Sequence, residues 1–137
     1  MNPFGYAFSL RLRHPRLTAD EITAAVAMAP KRSWTIGEPR STPKGTPLEG
    51  IHTSTYWTSR LAQEEGIRGA EFVHALGAAL GSIEEHSAFF HSAVAEGGSA
   101  NLFIGLFGSG NFGFSLPPDL LGRLAALGVG LEVDIYP

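Results

Sequence analysis

The chain begins with a stretch in which apolar and polar side chains alternate, from Tyr6 to Arg13. A period of two is typical of a β-strand with one buried face, because successive side chains point to opposite sides of a sheet. The same alternation returns near the end, from Val129 to Ile135. Both ends are therefore predicted to be strands that turn their charged side chains away from the core.

Between these strands the apolar spacing changes to that of helices. Thr18 stands three residues before Glu21, which is the spacing of a capping box and predicts a helix start. Later apolar stripes recur every three to four residues, and paired prolines open the last of them. The predicted helices run from Ala19 to Met28, from Phe72 to Val94 with a kink or break near Gly81, and from Pro118 to Leu127.

The remaining apolar segments are predicted to be short strands joined by glycine- and proline-rich turns. The first six elements match the ferredoxin-like βαββαβ arrangement, with a further helix and strand extending its sheet. We therefore predict a single domain over residues 1–137 with a two-layer α+β fold, in which helices pack on one face of a mainly antiparallel sheet. The additional strands are expected at Ser33–Ile36, Ile51–Ser59, Leu102–Phe107 and Phe112–Leu116, with an exposed loop over Gly37–Gly50.

Composition narrows the classes of protein to consider. With 137 residues, of which 44% are hydrophobic, the chain can bury one packed core. It has no cysteine, which excludes disulfides, thiol nucleophiles and thiolate metal sites. The N-terminal residues lack the pattern of a signal peptide, and the longest uncharged stretch is broken by glycine and proline. We expect a cytoplasmic protein with no membrane contact.

Charge is distributed unevenly along the chain. The net charge is −3, but residues 1–60 hold 8 basic and 4 acidic side chains, whereas residues 61–137 hold 2 and 9. Such a split can mark a basic binding surface. It also arises when the two halves share one core and face each other with opposite charges, and we favour this simpler interpretation.

A glycine-rich segment, Gly108–Gly113, matches the letters of a dinucleotide-binding loop. Such a loop also needs a helix that begins there and directs its amide groups at the phosphates, and none is predicted. A hairpin turn is the better interpretation. The aromatic residues that follow resemble the base-stacking strand of RNA-recognition motifs, but the basic residue of that strand is absent and the chain is acidic, so we expect no nucleic-acid partner.

No constellation of residues indicates catalysis or metal binding. Glu71 and His74 have the spacing of half a dimetal site, but no second such pair exists and the other histidines are scattered. No serine has the local context of an activated nucleophile. We therefore predict no catalytic residue, no metal and no cofactor, and expect that the protein is not an enzyme.

The side of the predicted sheet that faces away from the helices is the candidate functional surface. Two interpretations remain open: cross-strand ion pairs between the terminal strands, or a charged surface with an aromatic floor that binds a partner or a second copy. The candidate residues are Arg11, Arg13, Trp34, Tyr56, Trp57, Glu132, Asp134 and Tyr136.

Several segments together resemble an uncharacterised bacterial family, domain of unknown function 4279. They are the alternating first strand, the capped helix, the segment Ala29–Pro39 with its Trp-Thr-Ile-Gly sequence, the strand at Tyr56–Thr58, and the ending Leu124–Pro137. The resemblance covers nearly the whole chain and implies a bacterial origin and a common fold. It implies no catalytic residue, because no activity is assigned to the family.

Two functions follow as expectations. The first is a non-enzymatic protein-binding module, for example of the immunity-protein kind, that holds another protein or a second copy through the open sheet face and the Gly37–Gly50 loop. The alternative is a small-molecule-binding protein or small enzyme with a pocket near Trp34 and Trp57, in which Arg11, Glu132 or Asp134 supplies polar groups.

Overall fold

Seven strands and four α-helices make up the structure. The computed structural model describes residues 1–137. The strands are β1 (Phe4–His14), β2 (Arg32–Trp34), β3 (Pro39–Ser41), β4 (Pro47–Ile51), β5 (Thr55–Ile67), β6 (Ser99–Phe107) and β7 (Gly130–Tyr136). The helices are α1 (Ala19–Val26), α2 (Gly69–Ile83), α3 (Ser87–Ala95) and α4 (Pro118–Leu127), with a 3₁₀ turn at Glu84–His86 between α2 and α3.

Five strands form the main sheet in the order β2-β5-β1-β6-β7. The pairs β2–β5, β5–β1 and β1–β6 are antiparallel, and β7 lies parallel to β6 after the α4 crossover. The strands β3 and β4 pair only with each other. The prediction of an α+β fold with a mainly antiparallel sheet is therefore confirmed.

One apolar layer joins the helices to the sheet. The side chains of β1 that alternate toward this layer are almost completely buried, and apolar residues from all four helices meet them in a single cluster. Burial of this kind contributes roughly 25 cal/mol per Å² of apolar surface and dominates the stability of the fold. The largest fully buried side chains are Trp57, Phe8, Phe72 and Phe90.

The start of α1 has the cap that the sequence predicts. The hydroxyl of Thr18 accepts a hydrogen bond from the Glu21 amide at 3.1 Å, and the Glu21 carboxylate accepts one from the Thr18 amide at 3.0 Å. The helix ends at Val26, two residues earlier than predicted, because Ala27 adopts a left-handed conformation with φ of 55°.

Three local predictions are corrected. The loop predicted over Gly37–Gly50 contains the β3–β4 hairpin, and the break predicted near Gly81 falls at the 3₁₀ turn after Ile83. No strand forms over residues 112–116. There Phe112 stacks on Phe4 at 4.7 Å between ring centres and Phe114 stacks on Phe72 at 4.2 Å, while β7 occupies the place beside β6. Ring packing, not strand pairing, therefore sets the path of this segment.

Candidate binding surface

The face of the main sheet opposite the helices is built by strand register. Ser9 lies across from Phe103, which in turn lies across from Glu132, so that one row of side chains crosses three strands. Neighbouring rows follow with the period of two. We define the open face as Ser9, Arg11 and Arg13 of β1, Arg32 and Trp34 of β2, Tyr56, Thr58 and Arg60 of β5, Asn101, Phe103 and Phe107 of β6, and Glu132, Asp134 and Tyr136 of β7.

Arginines and aromatic rings of the open face are stacked on one another. Each contact of this kind contributes about 0.5–1 kcal/mol at an exposed site and restricts the rotamers of a long side chain. Stacking therefore holds these three guanidinium groups beside the aromatic rings of the open face. The distances from guanidinium carbon to ring centroid are 3.7 Å for Arg11 over Phe103, 4.6 Å for Arg13 over Tyr56 and 5.2 Å for Arg32 over Trp34.

Trp34 anchors a second part of the open face. Its ring stacks on His52 at 4.3 Å between centroids and leans against Tyr56 at 4.7 Å. Its indole N–H donates to the carbonyl of Ser54 at 3.1 Å. Because the polar edge is already satisfied, the half-buried ring is a rigid apolar platform beside the arginines.

The arginines of the open face have no carboxylate partner in their own chain. The ion pairs that one interpretation expected between the terminal strands do not form, because β6 separates β1 from β7. Of the arginines on this face, Arg60 bonds within it, to the hydroxyl of Ser9 at 3.1 Å and to the Gln63 side chain. The one arginine–carboxylate pair lies elsewhere, at Arg123–Glu84, as do the histidine–carboxylate contacts His14–Glu96 and His86–Glu85.

Arg11 is the most constrained of these side chains. Its Nε atom is buried and has no hydrogen-bond partner. The side chain borders a small pocket of about 170 Å³ in the middle of the open face. A buried polar atom without a hydrogen-bond partner costs about 1–3 kcal/mol, so this burial lowers the stability of the folded chain. The pocket is lined by Arg11, Arg13, Tyr56, Ser99, Asn101 and Glu132.

The structure removes Trp57 from the candidate surface. Trp57 lies on the helix-covered side of β5, where it is 0% exposed and donates its indole N–H to the Thr23 hydroxyl at 3.0 Å. Trp57 therefore cannot line the pocket expected near Trp34 and Trp57, although a cleft does lie beside Trp34. The cleft beside Trp34 has a volume of about 360 Å³ and is formed with the β3–β4 hairpin, including Glu38 and His52.

Sequence reasoning placed the other candidates on a common face but missed two arginines. Arg32 precedes Trp34 by two residues, and Arg60 follows Tyr56 by four, so period-two counting from either aromatic residue would have found them. The structure brings these arginines beside Arg11 and Arg13. Four arginines thus share the open face with two acidic residues, Glu132 and Asp134.

A tyrosine outside the open face has an altered acidity. Burial raises the pKa of Tyr6 above its ordinary value of 10.0, and the negative charge of Glu64 and a hydrogen bond from the Tyr6 hydroxyl to its carboxylate at 3.4 Å raise the pKa further. Tyr6 stacks on Phe8 in the core, and its hydroxyl reaches the sheet edge at β5.

Comparison with known proteins identifies the family. The model of the family described as domain of unknown function (DUF4279) matches residues 4–137. The chain belongs to the DUF4279 family. No curated protein and no solved structure matches it. The region matched to DUF4279 contains all five strands of the main sheet and hence the whole open face.

The DUF4279 structure has neither a cluster of metal-binding side chains nor a helix suited to a membrane. No group of three or more histidine or acidic side chains converges where a metal ion could be held. None of the helices combines the length and the apolar character needed to cross a membrane.

Proposed function

We propose that this DUF4279 domain is a non-enzymatic protein-binding module that holds an acidic surface of another protein on its open face. The observation that carries the proposal is the set of arginines without carboxylate partners, of which Arg11 also has a buried, unpaired Nε. Carboxylates of a partner would supply the missing acceptors in charge-assisted and, for arginine, bidentate geometry.

The shape and composition of the open face favour a protein over a small molecule. Arginine, tyrosine and tryptophan are enriched at the energetically dominant centres of protein interfaces. Stacking of Arg13 on Tyr56 and of Trp34 on His52 holds these side chains in place before binding, which lowers the entropic cost of association. The central pocket of about 170 Å³ is the size of a single inserted side chain rather than of a cofactor.

The acidic strand at one edge makes the distribution of charge across the open face asymmetric. Glu132 and Asp134 lie on β7, whereas Arg32 lies on β2 at the opposite edge of the sheet. A partner that is acidic over most of its contact surface and basic at one border would therefore bind in one orientation. The net charge of −3 opposes a nucleic-acid polyanion as the occupant.

The finer fold assignment is also part of the proposal. We infer that β1, α1, β2, β5, α2 and β6 correspond to a ferredoxin-like βαββαβ core, to which α4 and β7 are added. The sheet order β2-β5-β1-β6, with antiparallel neighbours, supports this inference. The open face of such a core is continuous, because all its helices lie on the other side.

A second candidate function is favoured by the cleft beside Trp34. It has about 360 Å³ of space, an aromatic floor from the stacked Trp34 and His52, and a guanidinium from Arg32. A planar anionic small molecule would fit these groups. Quenching of tryptophan fluorescence in the wild-type protein but not in the Trp34→Phe variant, on screening such compounds, would support this function.

Photo-crosslinking in the source cells tests the protein-binding proposal. The crosslinking amino acid p-benzoylphenylalanine replaces Tyr56 on the open face and, as the matched control, Leu121, which is exposed on α4. We expect a protein crosslinked from position 56 and not from position 121. The product should disappear when Arg11→Glu and Arg13→Glu are added, and the captured protein, once purified, should bind more weakly as salt increases.

Other outcomes would overturn the proposal. One is the absence of any product specific to position 56. Others are a product that contains nucleic acid or a second copy of the chain, and a protein product that persists after both charge reversals. Circular dichroism of each variant establishes that the fold is retained before the comparison is made.

A further inference from the structure

The strand β7 leaves one long edge of the main sheet without a neighbour. It pairs with β6 on one side only, and all seven of its residues are exposed. The opposite edge strand, β2, has only three residues. Native sheets usually shorten, cover or charge such edges, because their outward N–H and C=O groups can bond to any extended chain.

The side chains of β7 form two chemically distinct rows. On the helix side, Leu131, Val133 and Ile135 are 44%, 44% and 66% exposed, which is unusual for apolar residues that belong to a sheet. On the open face, Glu132 and Asp134 alternate with them. An added strand would therefore meet an apolar row on one side and a negatively charged row on the other.

We propose that the free edge of β7 binds an extended segment of another polypeptide in which apolar and basic residues alternate. Backbone hydrogen bonds to β7 would add this segment as a sixth strand, in the manner of β-strand addition. Its apolar side chains would cover Leu131, Val133 and Ile135. Its basic side chains would lie beside Glu132 and Asp134, where opposite charges on neighbouring strands stabilise the pairing.

The charges argue against a second copy of this chain as the occupant. An antiparallel pairing of two β7 strands centred on Val133 would place Glu132 directly across from Asp134 of the second copy, and this like-charged pair would occur on both sides of the centre. Like charges directly opposite each other on a sheet are destabilising. In this register the two acidic residues oppose self-pairing, whereas a basic strand would place opposite charges beside them.

This inference shares Glu132 and Asp134 with the open face, but it can be tested separately from the proposed function of that face. It concerns the edge of β7 and basic ligands, whereas the proposed function concerns the arginines and acidic ligands. The variant Arg11→Glu/Arg13→Glu tests the arginines of the open face, and the peptide experiment below tests the edge of β7. Failure of one proposal is therefore distinguishable from failure of the other.

Synthetic peptides as long as β7 provide the test, with the full chain as receptor. One peptide alternates valine and lysine, the second alternates valine and glutamate, and the third has the composition of the first in blocks rather than in alternation. In fluorescence anisotropy we expect the alternating lysine peptide to bind at least about tenfold more tightly than either of the others. Hydrogen exchange should slow at the backbone amides of β7 when this peptide binds.

Charge reversal at β7 tests whether Glu132 and Asp134 determine which peptide binds. The variant Glu132→Lys/Asp134→Lys should reverse the preference toward the glutamate peptide. The control variant Glu49→Lys/Glu65→Lys changes the net charge equally at exposed positions away from β7 and should keep the original preference. The inference is overturned by equal binding of all peptides, by a reversal in the control variant, by protection from exchange elsewhere than β7, or by a wild-type dimer paired through β7.

Discussion

The guanidinium carbon of Arg11 lies 3.7 Å from the centre of the Phe103 ring, while the Nε atom of the same side chain is buried without a hydrogen-bond partner. The ring stabilises the cation, but the enclosed N–H is left unsatisfied. Arg11 therefore contributes little net stability to the folded chain.

Replacing Arg11 with methionine should separate its contribution to folding stability from its contribution to partner binding. The loss of about 0.5–1 kcal/mol of cation–π attraction is offset by removal of an unpaired buried donor that costs about 1–3 kcal/mol, so the free energy of unfolding should change by less than about 1 kcal/mol or rise. Binding of the crosslinked partner should weaken by about 2 kcal/mol or more. Urea denaturation and titration calorimetry measure the two quantities.

Arg123 is the matched control for Arg11. Its Nε lies 2.6 Å from the Glu84 carboxylate, and its terminal nitrogen donates to the Gly77 carbonyl at 3.0 Å, so it connects α4 to α2. Arg123→Met should lower the free energy of unfolding by about 1 kcal/mol and leave partner binding unchanged. A larger loss of stability in Arg11→Met than in Arg123→Met would contradict the prediction.

Replacement by phenylalanine should lower the free energy of unfolding mainly at Trp57 and weaken partner binding only at Trp34. Trp57→Phe opens a cavity in the core and leaves the Thr23 hydroxyl without its donor, which should lower the free energy of unfolding by about 2–3 kcal/mol. Trp34→Phe should cost about 1 kcal/mol or less, because its ring is half-buried on the open face. Partner binding should fall only in Trp34→Phe. Equal stability losses would contradict this assignment of faces.

Stability should decline in alkaline solution because of Tyr6. The pKa of Tyr6 in the folded chain is raised, so the neutral phenol is favoured by folding. Its contribution is fully present below the unfolded-state pKa of about 10 and is lost as the pH rises through the folded-state pKa. Denaturation midpoints measured between about pH 9 and pH 11.5 should therefore fall less steeply in Tyr6→Phe than in the wild type.

Glu64 provides the control for this titration. Removing its charge in Glu64→Gln should lower the pKa of Tyr6 toward the ordinary value, which phenolate absorbance detects, although burial keeps part of the shift. Glu65→Gln removes a neighbouring charge that has no hydrogen bond to the Tyr6 hydroxyl and should have a smaller effect. An unchanged Tyr6 pKa in Glu64→Gln would refute this coupling.

His14 should be the histidine whose removal costs most. It is buried, and its Nδ1 accepts hydrogen bonds from the amides of Arg16 at 3.0 Å and Leu17 at 2.9 Å, so its Nε2 carries the proton that reaches Glu96 at 3.0 Å. His14→Phe should cost about 2–4 kcal/mol, because two amides lose their acceptor. His91→Ala, at an exposed position, should cost less than about 1 kcal/mol by chemical denaturation.

Prediction succeeded where a signal is contained in neighbouring residues. The capping box at Thr18 forms as expected, and the period-two strands at both ends exist. It failed over residues 112–116, where Phe112 is partly buried and stacks on Phe4 at the border of the core instead of forming a strand. A propensity read locally could not anticipate this, because Phe4 lies more than a hundred residues before Phe112 in sequence.

The sequence by itself determined the α-helices, the two terminal strands and the turning of their charged side chains away from the core, since helix and strand periods depend on residues close together in the chain. Only the tertiary structure decided that β6 separates the basic first strand from the acidic last one. It also decided that Tyr56 faces outward while Trp57 is buried. Because Tyr56 and Trp57 are adjacent and both aromatic, the local sequence allows either of them to face outward. The register of β1 with β5 decides this by pairing Arg13 with Tyr56, and no local pattern encodes that register.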